Sequence, residues 1–191
     1  MSSVITILIP SIGRFTLTKT LNSLLQLNNS NWTAIVGFDG CSPPKPVLDP
    51  RINYVYLKKI GGGLNQGGMV RNSLFPLVLT DWMCFLDDDD TFRPNYVDAF
   101  LNEIQSAPDA DCVIFRMSYD KNDSVVLPPA NSSSFQMCQV GISFAVKKSF
   151  LTQNNIRFEN NSFEDFYFLE KIKQSGGKII FSKEITYNVR F

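Results

Sequence analysis

The first ninety residues alternate between short apolar runs and stretches in which leucines recur at helical spacing. Residues 4–9 are β-branched and almost all apolar, which is typical of a strand buried on both faces. The leucines of residues 15–27 follow the period of an amphipathic helix. The same reasoning predicts further strands at residues 34–38, 52–57 and 82–86, and a helix at about residues 69–78. Strands that alternate with helices predict parallel pairing in a doubly wound α/β sheet.

The second half of the chain is less regular. The pattern predicts a helix from Pro94, strands at residues 112–117 and 142–146, a turn-rich hairpin at 119–127, a helix at 163–174, and short strands at 178–181 and 185–189. Gly176 and Gly177 follow the last helix in the manner of a glycine C-cap. Since there is no internal repeat and no linker, residues 1–191 are expected to form one domain.

Composition excludes several classes of function. The 18 basic residues balance the 18 acidic ones, so the positive surface expected of a nucleic-acid-binding protein is missing. The chain contains no histidine, which excludes histidine-based triads and imidazole metal sites and places any acid–base catalysis on carboxylates. The four cysteines lack metal-binding spacing, and the first apolar run is too short for a signal peptide. We therefore expect no membrane span and a cytoplasmic location.

Polar residues follow the predicted parallel strands at their carboxyl ends, where ligands bind in sheets of this kind. Ser11 and Arg14 follow the first strand, Asp39 ends the second, and four consecutive aspartates follow the strand at residues 82–86. Alternate residues leave a strand on the same side, so Asp87 and Asp89 should converge. Two converging carboxylates favour Mg²⁺ or Mn²⁺ shared with a substrate phosphate. The alternative is a solvated turn in which an aspartate caps the helix that starts at Pro94.

The aspartate run also matches the Asp-x-Asp-x-Thr motif of haloacid-dehalogenase-like phosphatases. Under that interpretation Asp87 is a nucleophile and Asp89 an acid/base. Such phosphatases need a later acidic pair for Mg²⁺, and residues 178–191 do not offer one.

Taken together, five short motifs resemble those of family-2-type glycosyltransferases with the GT-A fold. They are Ile5-Thr6-Ile7-Leu8-Ile9-Pro10-Ser11, Phe38-Asp39-Gly40-Cys41-Ser42, Gly67-Gly68-Met69-Val70-Arg71-Asn72, the run from Leu86 to Pro94, and Phe163-Glu164-Asp165-Phe166. Each motif is weak alone, but all five occur in the family's order. The resemblance implies a Rossmann-like, mostly parallel central sheet with a smaller antiparallel sheet on the acceptor side. It also implies a nucleotide-binding half, residues 1–90, and an acceptor-side half, residues 91–191.

The resemblance implies a role for each matching residue. Asp39 would contact the donor base, Asp87 would lie near the donor ribose, and Asp89, with Asp87, would bind the metal. The implied donor-binding residues are Pro10, Ser11, Arg14, Asp39, Arg71, Asp87 and Asp88. Asp165 would be the catalytic base, with Glu164 as its substitute.

The implied reaction is transfer of a sugar from a nucleoside diphosphate sugar, with UDP the expected nucleotide, to a carbohydrate hydroxyl. Mn²⁺ or Mg²⁺ would be the cofactor, and inversion is the expected outcome. The Gln-x-x-Arg-Trp motif of processive synthases is absent, so a non-processive enzyme is expected. An inactive module that only binds sugar nucleotides is a further alternative.

Structural roles compete with some of these functions. Arg71 could be a helix surface charge, and Asp39-Gly40 could be a simple turn. Residues 162–165 fit a capping box, in which Asp165 would only close the start of a helix. If Asp165 is instead functional, the helix N-terminus is expected to lower its pKa. Gly61 to Gly63 is expected to be a mobile loop and does not match a phosphate-binding P-loop.

Overall fold

The structure is a computed structural model, which describes residues 3–42, 47–61, 67–119 and 121–190. Gly62 and Gly63 of the glycine-rich segment lie outside the described residues. The strands within the described residues are β1 (Ile5–Ser11), β2 (Trp32–Asp39), β3 (Ile52–Leu57), β4 (Trp82–Phe85), β5 (Thr91–Phe92), β6 (Cys112–Ser118), β7 (Val126–Leu127), β8 (Phe144–Lys147) and β9 (Ile179–Asn188). The helices are α1 (Leu17–Leu25), α2 (Gly68–Leu74), α3 (Tyr96–Ser106), α4 (Lys148–Gln153) and α5 (Glu164–Gln174).

The first four strands form a parallel sheet in the order β3-β2-β1-β4. All seven residues of β1 are buried, because this central strand is covered on both faces. The register pairs Ser11 with Phe38 and Leu8 with Phe85. Asp39 and Asp87 therefore follow at nearly the same level as Pro10 and Ser11. The predicted α/β class with a mostly parallel central sheet is confirmed.

The antiparallel part of the molecule continues this sheet. β8 pairs antiparallel with both β4 and β6, and so joins the two halves. β6 pairs parallel with β9, and β5 and β7 add short antiparallel pairs at β9 and β6. Within the described residues, the expected smaller sheet is thus continuous with the central one. Both β6 and β9 run in the same direction as β4, which brings their carboxyl ends to the same edge.

The largest differences from the sequence pattern concern α2, β9 and two short elements. The helix predicted at residues 69–78 ends at Leu74 and continues as a 3₁₀ turn, Phe75–Leu77, since Pro76 has no N–H to donate. The last two predicted strands form the single strand β9, whose pairing with β6 is irregular near Arg116. The pattern missed the two-residue strand β5 and the six-residue helix α4.

The core extends under the whole sheet and contains an aromatic cluster beneath the carboxyl edge. Phe158 and Phe168 stack with ring centroids 4.0 Å apart, and Phe85 meets both rings edge-on. Such contacts fix ring positions beyond what area burial alone requires. These packed rings support the polar side chains at the carboxyl edge. Among the described residues, no helix has both the length and the apolar character that a membrane crossing requires.

Candidate active site

A cleft of about 420 Å³ opens at the carboxyl edge of the parallel strands. Every site residue predicted from the sequence lines it, namely Pro10, Ser11, Arg14, Asp39, Arg71, Asp87, Asp88, Asp89, Glu164 and Asp165. These residues come from β1 and the turn after it, β2, α2, the loop after β4 and the start of α5. Parallel strands that end at one edge bring these distant segments together.

Asp88 is one of two aspartates in the acidic run that turn inward. It is 3% exposed and accepts hydrogen bonds from Ser11 Oγ at 2.7 Å, Ile12 N at 3.3 Å and Arg14 Nη1 at 3.0 Å. Burial raises the pKa of Asp88, while the bond from Ser11 and the charge of Arg14 oppose the rise. Because its oxygens are occupied by the end of β1 and the turn after it, Asp88 fastens that turn to the acidic loop.

Asp90 is the other inward-facing aspartate. Its carboxylate accepts a hydrogen bond from Tyr187 Oη at 2.7 Å and another from the backbone N–H of Arg190 at 3.0 Å. Burial, together with the charge of Asp87, raises the pKa of Asp90 to about 7. Asn95 precedes α3, which has no side-chain cap. The alternative in which an aspartate of the run caps this helix is therefore wrong.

Asp87 and Asp89 face the cleft and form a three-carboxylate cluster with Asp90, whose ligand oxygens all lie within 4.8 Å of one another. Asp87 Oδ1 is paired with Arg71. Asp89 Oδ2 lies 3.0 Å from Arg14 Nη1 and also pairs with Arg190. Among the contacts of the described residues, Asp87 Oδ2 and Asp89 Oδ1 have no hydrogen bond or ion pair. Carboxylate oxygens such as these are ligands that hard divalent cations prefer, so Asp87 and Asp89 could hold one. Sequence reasoning had not included Asp90 in this cluster.

Arg71 connects the acidic loop to α5. The residue is 2% exposed, and its side chain donates from Nη1 to Glu164 Oε1 at 2.6 Å and from Nη2 to Asp87. Burial acts to lower the pKa of Arg71, but the charges of Asp87, Asp165 and Glu164 outweigh it and raise that pKa above its ordinary value. The guanidinium lies 5.3 Å from the ring centre of Phe158. The alternative in which Arg71 is a helix surface charge is wrong.

Glu164 is held firmly at the first turn of α5. Its Oε2 accepts the N–H of Gly68 at 3.1 Å, while Oε1 takes the bond from Arg71. A Cβ on Gly68 would lie 2.5 Å from Oε2, so α2 can approach this carboxylate only because residue 68 is glycine. Burial raises the pKa of Glu164, and the charge of Arg71 opposes the rise. With both oxygens occupied, Glu164 positions Arg71.

Asp165 differs from its neighbour in having no such partners. It is half-buried, and its Oδ1 is a buried atom without a hydrogen-bond partner among the described residues. Phe163 precedes α5 and makes no side-chain cap, so the capping-box alternative is wrong. Burial raises the pKa of Asp165 to about 7, against the charge of Arg71 and with the charges of Asp87 and Glu164. The expected lowering by the helix N-terminus is wrong, because desolvation of the carboxylate outweighs it.

Asp39 lines the cleft and also shapes the neighbouring backbone. Its carboxylate accepts the N–H groups of Ile60 at 2.6 Å and Gly61 at 3.1 Å, and Lys59 Nζ lies 3.8 Å away. Gly40, which follows, has φ +67°, a left-handed conformation that favours glycine. The turn interpretation therefore holds, and the same side chain still reaches the cleft wall.

Sequence reasoning missed two basic side chains of the cleft, Lys59 and Arg190. Lys59 follows the carboxyl end of β3, so the strand-end argument already applied to Asp39 could have found it. Arg190 follows the carboxyl end of β9, but the direction of β9 depends on long-range pairing that the sequence pattern does not reveal. With these two, the cleft is lined by six acidic and four basic side chains.

Comparisons with known proteins give consistent matches. The sequence model described as "Glycosyl transferase family 2" matches residues 6–169. An uncharacterised glycosyltransferase of Haemophilus influenzae is 28% identical over 184 residues, which cover 89% of this chain and 62% of the relative. A putative colanic acid biosynthesis glycosyl transferase of Escherichia coli, WcaA, is 32% identical over 92 residues, which cover 44% of this chain and 31% of the relative.

Solved structures match the fold. A crystal structure of S. aureus TarS in complex with UDP-GlcNAc superposes with a TM-score of 0.77 at 15% identity, covering 97% of this chain and 58% of that one. The UDP complex of TarS gives 0.76 at 14% identity, covering 97% of this chain and 60% of that one. At this identity the likeness concerns the fold, which is that of GT-A glycosyltransferases. This chain spans less than two thirds of the length of each of these proteins.

Proposed function

This chain belongs to glycosyl transferase family 2, and we propose that its cleft transfers a sugar from a nucleoside diphosphate sugar to an acceptor hydroxyl. One observation carries the proposal. Asp87, Asp89 and Asp165 line the same 420 Å³ cleft, and each has a carboxylate oxygen without a hydrogen-bond partner among the described residues. Such a cleft can hold an anionic leaving group at one end and a proton acceptor at the other.

We place the donor between β1, β2 and the acidic loop. Pro10, Ser11, Arg14 and Asp39 line this end of the cleft. UDP is the proposed nucleotide, a choice supported by the UDP and UDP-GlcNAc complexes of TarS. Asp88 acts here through Ser11 and Arg14, because its own oxygens are occupied.

A divalent cation is part of the proposal, with Asp87 and Asp89 as its protein ligands. Acidic side chains outnumber basic ones around the cleft, so a diphosphate would otherwise enter against net repulsion. A bound Mn²⁺ or Mg²⁺ ion would stabilise the negative charge that grows on the leaving diphosphate. Arg71 holds Asp87 in place for this task.

Asp165 is the proposed base. The acceptor hydroxyl gives its proton to the Asp165 carboxylate while its oxygen bonds to the anomeric carbon, and the bond from that carbon to the diphosphate oxygen breaks. A carboxylate with a pKa near 7 matches the requirement for general base catalysis at neutral pH. Attack opposite the leaving group inverts the anomeric carbon.

Absence of the Gln-x-x-Arg-Trp motif from residues 1–191 supports non-processive transfer. The free thiols of all four cysteines support the proposed cytoplasmic location.

The phosphatase alternative is disfavoured. The family and the fold are both those of glycosyltransferases. The inactive module differs from the enzyme only in turnover. The test below therefore measures binding and turnover separately.

The experiment is a thermal-shift panel of UDP-, GDP- and dTDP-sugars with and without Mn²⁺, followed by donor hydrolysis assays. We expect a UDP-sugar to raise the melting temperature in Mn²⁺ and a chelator to abolish the shift. Asp89→Asn should lose the shift and the hydrolysis. The matched control is Asp109→Asn, which removes an exposed acid outside the cleft and should change neither. If no nucleotide shifts the wild type, the proposal fails. Binding without turnover across an acceptor screen would favour the inactive module.

A further inference from the structure

Arg190 lies at the rim of the cleft and has no role in the function proposed above. Its Nε is 3.1 Å from Asp89 Oδ2, and Arg14 Nη1 lies 3.0 Å from the same oxygen. Two guanidinium groups thus share one oxygen of a candidate metal ligand. A cation bound at Oδ1 of the same carboxylate would compete electrostatically with both guanidinium groups for its negative charge.

The two arginines are held very differently. Arg14 also binds Asp88 Oδ1 at 3.0 Å, and its side chain is 29% exposed. The Arg190 side chain is 60% exposed, and Asp89 is the one side-chain partner found for it among the described residues. An ion pair this exposed is weak and readily exchanged. If Asp89 is taken by another cation, Arg14 keeps a partner and Arg190 loses its own.

The backbone of Arg190, in contrast, is fixed beside the acidic loop. Its N–H donates to Asp90 Oδ1 at 3.0 Å, and the preceding N–H, of Val189, donates to Ser118 O at 2.9 Å. The backbone of Arg190 has φ +52°. This conformation is uncommon for residues other than glycine, so surrounding contacts must hold it. A long side chain on a fixed backbone can reach several positions within the cleft.

The other two arginines of the cleft have closer and more buried partners. Arg71 is committed to Asp87 and Glu164, and Arg14 to Asp88. Lys59 lies beside Asp39, on the side of β2 and β3. Among the described arginines that line the cleft, Arg190 is thus the one that is both exposed and weakly held, and it is the one that shares Asp89 with Arg14.

We propose that Arg190 contacts the donor's phosphate oxygens, and that Asp89 holds its guanidinium in place until a divalent cation takes over that carboxylate. The planar fork of a guanidinium suits two phosphate oxygens. The inference rests on the proposed function, since it requires a diphosphate donor in this cleft. Arg190 therefore weakens metal binding before the donor enters and strengthens donor binding afterwards.

The test separates these two effects in the same variant. First, Mn²⁺ alone is titrated by electron paramagnetic resonance into the wild type and Arg190→Ala. We expect the variant to bind Mn²⁺ about threefold to fivefold more tightly, because an exposed competing ion pair is gone. The control Lys183→Ala removes one positive charge from an exposed position on β9 outside the cleft, and should leave Mn²⁺ affinity unchanged.

Second, UDP is titrated calorimetrically at saturating Mn²⁺. We expect Arg190→Ala to bind UDP on the order of tenfold more weakly, since a charge-assisted hydrogen bond is lost, and Arg190→Lys to recover part of the loss. A gain in one affinity with a loss in the other cannot come from misfolding.

The outcomes are distinguishable. If the wild type binds Mn²⁺ and UDP but Arg190→Ala matches it in both titrations, this inference is overturned and the proposed function stands. If Arg190→Ala weakens both affinities equally, Arg190 is structural and the inference is again overturned. If the wild type binds neither probe, the proposed function fails and this inference fails with it.

Discussion

Replacement of Asp165 by asparagine tests the assignment of the base, because it predicts opposite effects on activity and on stability. The substitution keeps the shape of the side chain and removes its negative charge. In the wild type the carboxyl has a pKa of about 7, against an ordinary value of 3.8, so the folded protein holds its proton more tightly than the unfolded chain. Ionisation of this group therefore lowers the free energy of unfolding as pH rises from about 4 to about 7.

The size of this effect follows from the shift. About three pKa units at ~1.4 kcal/mol each give an upper bound of ~4 kcal/mol above pH 7, and water entering the half-exposed cleft reduces it to about 1–3 kcal/mol. At pH 8 Asp165→Asn should therefore melt roughly 5 °C above the wild type. At pH 5 the unfolded chain is ionised while the folded carboxyl is still largely protonated, so only about a third of this difference, roughly 2 °C, should be present.

Activity should change in the opposite direction. Loss of a general base lowers kcat by roughly 10²- to 10⁴-fold, while donor binding is unaffected. In the wild type, kcat/KM should fall as pH decreases through about 7, since the base must be ionised. The assays are thermal unfolding at pH 5 and pH 8, and steady-state transfer across the same pH range.

Glu164→Gln is the matched control, because it neutralises the neighbouring carboxyl. Glu164 pairs with the buried Arg71, so its neutralisation should destabilise the fold by about 1.5–3 kcal/mol. The reasoning about Asp165 is refuted if Asp165→Asn destabilises the protein as Glu164→Gln does and retains activity. Asp165 would then be a structural residue.

Two further substitutions test the framework of the cleft. Gly68→Ala should lower the free energy of unfolding by about 1–3 kcal/mol and weaken transfer, because its Cβ would lie 2.5 Å from Glu164 Oε2 and break the bond to the Gly68 N–H. Urea unfolding measures this loss, and wild-type stability would contradict the close approach. Tyr187→Phe removes the hydroxyl that donates to Asp90. It should lower the free energy of unfolding by about 1–3 kcal/mol in the same measurement, because a buried acceptor loses this donor. An unchanged unfolding midpoint would show that this bond does not hold the acidic loop.

Local pattern was enough to predict most of the parallel half of the fold. The apolar runs at β1, β2 and β4 identify strands buried on both faces, and β3 was predicted with its observed bounds, Ile52–Leu57. Short elements were missed, such as β5 and α4, because a two-residue pair or a six-residue helix carries too little periodicity. The two segments joined in β9 were predicted separately, since the polar residues between them resemble a turn.

The candidate site was predictable in its location and in part in its members. Strand ends meet at one edge of a parallel sheet, so Ser11, Asp39 and Asp87 were expected to converge. Alternation along the chain also indicated that Asp87 and Asp89 face one side, and Asp88 and Asp90 are indeed the buried pair. The partners of these residues were not predictable, because the ion pair of Arg71 with Glu164 spans 93 positions of sequence and the bond from Arg190 to Asp90 spans 100.

The sequence by itself determined which segments form strands, at which edge the charged residues gather, and that any acid–base chemistry must use carboxylates. Tertiary structure decided that Glu164 is held by two donors, while Asp165 Oδ1 has none among the described residues. It also decided that Arg190 faces Asp89. The physical reason is that hydrophobic periodicity depends on near neighbours in the sequence. The pKa of a carboxylate and the partners of its oxygens depend instead on burial and on charges brought from distant parts of the chain.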